Sequence, residues 1–97
     1  MGLNKIIHEQ SRLKILTLLA GSDQKETGFT ELQTSLELSS GNLSVQLKKL
    51  SEAGYIAIKK SFKDNKPFTT VSLTRSGHTA LEKYIDEIEG LIQSLRK

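Results

Sequence analysis

Residues 39–54 read SSGNLSVQLKKLSEAG. Leu43, Leu47 and Leu50 stand at i, i+4 and i+7, which gives a helix one apolar side. Ser39 and Ser40 offer capping oxygens in front of it, and Gly54 stops it. At ~100° per residue, the opposite side shows Gly41, Asn42, Val45, Lys48, Lys49 and Glu52, with Ser44 and Gln46 flanking. Small and amide groups therefore lead this helix, and the ammonium groups follow them.

The segment before it, FTELQTSLEL (29–38), predicts a short helix capped by Thr30, with Gln33 three residues on and Leu32 and Leu36 on one side. A gap of about three residues between two short helices is the spacing of a helix-turn-helix. Further upstream, Leu3, Ile6, Ile7, Leu13, Leu16 and Leu19 recur at helical separations, which predicts a first helix over 3–20. GSDQKETG (21–28) reads as a polar loop. Downstream, YIAIKK and TTVSL alternate as two strands with Ile56, Ile58, Val71 and Leu73 inward. Between them Asp64 and Asn65 suit a turn, and Pro67 cannot donate a ladder hydrogen bond. Thr74 caps a last, longest helix, expected over 75–96, whose apolar set includes Leu81, Tyr84, Ile85, Ile88, Leu91, Ile92 and Leu95.

The expected fold is thus mainly α with a small β-hairpin, in the order α-α-α-β-β-α, as one domain over 1–97. That order is a winged helix-turn-helix. The 97 residues hold no cysteine, which removes thiolate chemistry, disulfides and Cys-based zinc sites and suits a cytoplasmic protein. No run approaches the ~18 apolar residues of a membrane span. The net charge of +3 is unevenly placed: residues 38–75 carry Lys48, Lys49, Lys59, Lys60, Lys63, Lys66 and Arg75 against Glu52 and Asp64, while the flanking stretches are each slightly acidic. A local cationic field suits a polyanion, because neutralised phosphates release condensed counterions.

LSSGNLSVQLKKLSEAGYI followed by FKDNKPFTTVSLT resembles the winged-helix DNA-binding domain of small transcriptional regulators near the MarR and ArsR families. RLKILTLL in the first helix and TRSGHTALE at the start of the last extend the resemblance. It spans residues 10 to 84 or so, and the run from Gly41 to Gly54 is its most specific part. The chain departs from the family pattern at Val45 and Gln46, and at the wing tip, where Asp64 to Lys66 replace a frequent Gly-Arg pair. The resemblance implies a repressor-type regulator, usually a homodimer, whose third helix enters the major groove while the wing touches the adjacent backbone or minor groove.

The residues themselves divide the work in the same way. Asn42 and Gln46 are the candidate base readers, since an amide pairs with adenine, and Val45 suits a thymine methyl. Gly41 and Ser44 let the helix approach closely. Lys48 and Lys49 on the helix, with Lys60, Lys63 and Lys66 on the hairpin, are candidate phosphate contacts, although edge lysines also serve to keep sheets from pairing. Ser39 and Ser40 complete the expected DNA-binding set, with capping as their first duty. Arg12 is expected to brace the first helix against the rest.

His8 and His78 stand alone, so no metal site is expected, and no cofactor or nucleophile motif appears, which argues against an enzyme. Leu3, Ile6, Ile7, Ile85, Ile88, Leu91, Ile92 and Leu95 form an apolar surface on the two terminal helices that a small domain cannot cover alone. They are the expected dimer interface. The expected partners are double-stranded DNA and a second copy of the chain, with no membrane. No residue set specifies a small-molecule effector, which is left open. The competing reading is a winged helix used for protein–protein interaction without DNA binding.

Overall fold

The computed structural model describes residues 2–96; Met1 and Lys97, the ends of the expected domain, lie outside the described residues. The described chain forms α1 (Gln10–Ala20), a 3-10 turn at Asp23–Lys25, β1 (Glu26–Gly28), α2 (Phe29–Leu36), α3 (Ser40–Glu52), β2 (Ile56–Lys63), β3 (Lys66–Leu73) and α4 (Arg75–Leu95). The helix expected over 3–20 therefore begins at Gln10. Asn4 Oδ1 accepts from the backbone N–H groups of Ile6 and Ile7 at 2.9 and 3.1 Å, which holds the chain in a turn that competes with helix. Glu9 then caps α1 from an extended conformation by accepting from Arg12 N. The apolar spacing survives because that turn folds back onto the core, where Ile7 is fully buried and Leu3 and Ile6 pack on its edge.

Other boundaries moved for local reasons. GSDQKETG is not all loop: Glu26–Gly28 pairs antiparallel with β3, so the sheet has three strands in the order β1-β3-β2. The strand runs directly into α2, whose N-cap is Gly28 with no side-chain bond, and Thr30, expected to cap, lies one residue inside the helix. The hairpin strands are longer than expected and reach Lys63 and Lys66 across the two-residue turn Asp64-Asn65, both at positive φ (53° and 63°). Two left-handed residues match the right-handed twist of the strands they join.

The interior gathers Ile15, Leu16 and Leu19 of α1, Leu32 of α2, Leu43, Leu47 and Leu50 of α3, and Val71 of β3. Burial of each such side chain contributes roughly 1.5–3 kcal/mol. The α3 helix starts under a Ser39 cap that accepts from Asn42 N, and ends two residues before Gly54, whose φ of 81° few other residues adopt. The next turn is anchored to α4: Thr74 caps α4 by accepting from Gly77 N, donates its hydroxyl to Gly54 O at 2.7 Å, and donates its N–H to Tyr55 O at 3.1 Å. Gly77 lets the two segments touch, since a Cβ there would overlap the Tyr55 carbonyl oxygen and lie 2.9 Å from Leu73 Cδ1. Gly77→Ala is accordingly expected to destabilise the fold by about 2–3 kcal/mol, through backbone displacement at an overpacked contact. A urea midpoint equal to that of the parent chain would contradict the contact.

Candidate nucleic-acid interface

Three leucines turned inward leave the other side of α3 in solvent. Leu43 and Leu50 are 0% exposed and Leu47 2%, whereas Gly41, Asn42, Ser44, Val45, Lys48 and Lys49 are exposed. Val45 is half exposed amid polar neighbours. Ser39 and Ser40 sit at the exposed start of the helix, and the Ser39 side chain is engaged in capping.

Gln46 differs from its neighbours. It is half-buried, its Oε1 accepts from Arg12 Nη1 at 2.7 Å, and its Nε2 donates to Asn42 Oδ1 at 3.1 Å. Arg12 itself is buried, and its Nε donates to the carbonyl of Ile6. The expected brace is therefore specific: one guanidinium ties the N-terminal turn to the amides on the outer face of α3. The sequence carried a signal for it, because Arg12 occupies the stripe of Leu16 and Leu19, at i+4 and i+7, where an apolar residue belongs. Glu9 completes the corner, 3.9 Å from Arg12 Nη1. Partial burial resists its ionisation, but N–H groups of Arg12 and Ser11 and the charges of Arg12 and Lys49 outweigh that and hold its carboxyl below the usual range. Its stabilising contribution is thus present above the ordinary carboxylate value and is lost as pH falls through the lower, folded one.

The wing stands beside α3, and its lysines divide between its two faces. In β2, Lys60 pairs with Thr69 on the side that carries Ile56, Ile58, Val71 and Leu73, while Lys63 pairs with Lys66 at the tip on the reverse side. Lys60, Ile58 and Thr69 face Ser44, Lys48, Ser51 and Glu52 of α3 across an open cleft of about 460 Å³. Ile58, expected inward, is 40% exposed because the edge strand β2 has by then left the core and overhangs this cleft. Lys63 Nζ lies over the Phe68 ring, 5.1 Å from its centroid, and Phe62 stands exposed near the tip. Ser51, Thr69 and Phe29, which also line the cleft, were not among the expected contacts; nothing in their local sequence marks them, since the cleft is made by a tertiary approach.

The other predicted positions lie apart from this surface. Ile85, Ile88, Leu91, Ile92 and Leu95 form a stripe on α4, and from Glu89 to Arg96 every residue is exposed. Ile7, expected at the same interface, is instead fully buried in its own chain for the reason given above, and Leu3 and Ile6 are partly covered there. His8 Nδ1 lies 2.6 Å from the Tyr84 hydroxyl, and His78 Nδ1 3.1 Å from Glu82 Oε1. No helix among the described residues is long and apolar enough to cross a membrane.

Known proteins share this fold. A family model described as a winged helix DNA-binding domain matches residues 11–92. An uncharacterized protein of Methanocaldococcus jannaschii is 38% identical over 91 residues, covering 94% of this chain and 97% of the relative. The transcriptional regulator homologue from Pyrococcus horikoshii OT3 superimposes with a TM-score of 0.83 at 26% identity, over 93% of this chain and 87% of that one. A MarR family transcriptional regulator from Streptomyces coelicolor, solved in complex with DNA, has the same fold at 19% identity and a TM-score of 0.71, over 88% of this chain and 57% of that one. The winged-helix order expected from the sequence, and its resemblance to such regulators, are both borne out.

The two amides are expected to respond differently to truncation. Gln46→Ala strips a buried guanidinium of its acceptor and is expected to cost about 1–3 kcal/mol of stability, whereas Asn42→Ala, on the solvent side, is expected to cost a few tenths. Thermal unfolding of the two variants compares them directly, and equal losses would contradict the brace.

Proposed function

The chain belongs to the winged helix DNA-binding domain family, and from that premise we propose that it is a sequence-specific regulator of transcription that binds duplex DNA as a homodimer in the cytoplasm. The observation that carries the reading is the division of α3: leucines seal one side, while amides, a valine and two lysines occupy the other, next to a cationic wing. The exposed side enters the major groove with its N-terminal residues toward base edges. Lys48 and Lys60, on opposite walls of the cleft, hold the phosphate backbone that runs between helix and wing. Lys49, Lys63 and Lys66 add contacts on either side. A Streptomyces regulator of the same fold was crystallised in complex with DNA, which supports duplex binding as the reading.

The mode of action we propose is repression. A protein seated on a promoter blocks polymerase by occupancy alone and needs no further surface to do so.

The second copy is argued from α4. Its final turns carry Leu91, Ile92 and Leu95 beyond the reach of the core, with Ile88 at the core's edge, and Leu95 is 86% exposed. An apolar stripe of this kind, rimmed by acids and lysine, is what a twofold helix pair buries. Two α3 helices would then meet the duplex ~34 Å apart, one turn of DNA.

Two measurements test these parts separately. Affinity for a duplex is expected to fall with salt on a log-log plot, and the slope is expected to lessen by about 0.9 in each of Lys48→Ala and Lys60→Ala. No retardation of any duplex, or a slope indifferent to salt, would favour a protein-interaction module instead. In sedimentation at micromolar concentration the chain is expected to be a dimer and Leu91→Glu a monomer; a monomeric parent chain would remove the twofold part of the proposal.

A further inference from the structure

We propose that Arg12, a residue remote from the duplex, sets the direction in which Asn42 reads a base, so that Asn42 acts as a hydrogen-bond donor and selects guanine. The inference rests on the DNA-binding reading above and deepens it.

A guanidinium has donors and no acceptor. The group of Gln46 that faces Arg12 Nη1 at 2.7 Å must therefore be its carbonyl oxygen. That commits the Gln46 amide nitrogen to the other side, where it lies 3.1 Å from Asn42 Oδ1. Asn42 in turn keeps its oxygen toward Gln46, and its exposed end is the NH2 group. One buried cation thus polarises two side-chain amides in series, and neither is free to turn over without leaving a donor facing a donor. Arg12 is itself held, since its side chain is only 11% exposed and its Nε donates to the Ile6 carbonyl in the N-terminal turn.

The consequence reverses what residue type alone suggests. An unconstrained asparagine pairs with adenine by accepting from N6 and donating to N7. Here the carbonyl is turned toward Gln46 and the protein's own corner, so that the end left toward the groove is the NH2 group with its two N–H donors. Guanine presents two adjacent acceptors there, O6 and N7, whereas adenine sets a donor beside its one acceptor. The position opposite Asn42 is therefore guanine, and Arg12 is a positioning residue for that choice.

Selection of bound duplexes from a random pool tests this with the full chain and three variants. Asn42→Ala identifies the base pair concerned as the one whose preference it abolishes. At that pair the parent chain is expected to favour guanine over adenine by ~10-fold or more, the range of one paired contact. Arg12→Met leaves a stem in the buried site but no donor, so both amides are free to turn and the ratio is expected to collapse toward one. Gln46→Glu keeps a partner for Arg12 but offers only acceptors to Asn42; its NH2 must then turn inward and its oxygen outward, and preference is expected to switch to a base presenting a donor, adenine or cytosine. These ratios are read within one protein, so a uniform loss of affinity does not disturb them, and Gln46→Glu decides the matter if Arg12→Met fails to fold. Persistence of guanine in Gln46→Glu, or adenine in the parent chain, overturns the proposal while leaving DNA binding intact. A parent chain that enriches no sequence overturns the DNA-binding reading itself.

Discussion

The burial of Leu43, Leu47 and Leu50 governs the rest of the molecule. These three side chains fix the rotation of α3 about its own axis, because turning the helix by one residue would expose a leucine and bury a serine or lysine. With rotation fixed, the outward row of Gly41, Asn42, Val45 and Lys49 follows without any further interaction. The depth of α3 is then set by α1 and β2, which pack against it, and its ends by the Ser39 cap and by Gly54. A surface made this way is stiff, since its residues stand on a helix whose other side belongs to the core.

Stability and the proposed recognition share atoms at one point. Arg12 crosses from the interior to the outer face and holds the N-terminal turn, the start of α1 and the amides of α3 in one hydrogen-bonded corner. Removal of Gln46 leaves the buried guanidinium without its side-chain acceptor, so the inner part of this corner tolerates change poorly, whereas Asn42 stands on the solvent side. The α4 helix is organised in the opposite way. Its first half is committed to the fold through Gly77, Leu81 and Tyr84, and its residues from Glu89 onward are exposed, which separates the part that builds the domain from the part proposed to meet a second copy.

Much of this was legible in the residues. Leucine spacing found α3 and its outward face, Thr74 marked the start of α4, and Asp64-Asn65 marked the wing turn, since each rests on local chemistry. The failures share a cause. The apolar rhythm of Leu3, Ile6 and Ile7 imitates a helix, but Asn4 captures the backbone into a turn whose side chains reach the same core. Glu26–Gly28 is a strand only because β3 offers it an edge, and its composition reads as loop. Ile58 alternates correctly and still meets solvent, because alternation describes the strand and not where the core ends. In the candidate site, the lysines and amides could be named one by one. Their connection through Arg12, and the cleft between Lys48 and Lys60, depend on approaches across 34 residues of sequence in the first case and on the lean of the wing in the second.

The central question is which surface meets a duplex. Backbone amide chemical shifts, followed while a short duplex is titrated into the labelled chain at low salt, report this residue by residue. Perturbations are expected to concentrate on residues 39–49, the cap and first turns of α3, and on 58–69 of the wing, with the exposed end of α4 left unmoved. Perturbations confined to α4, or a spectrum indifferent to the duplex, would contradict it.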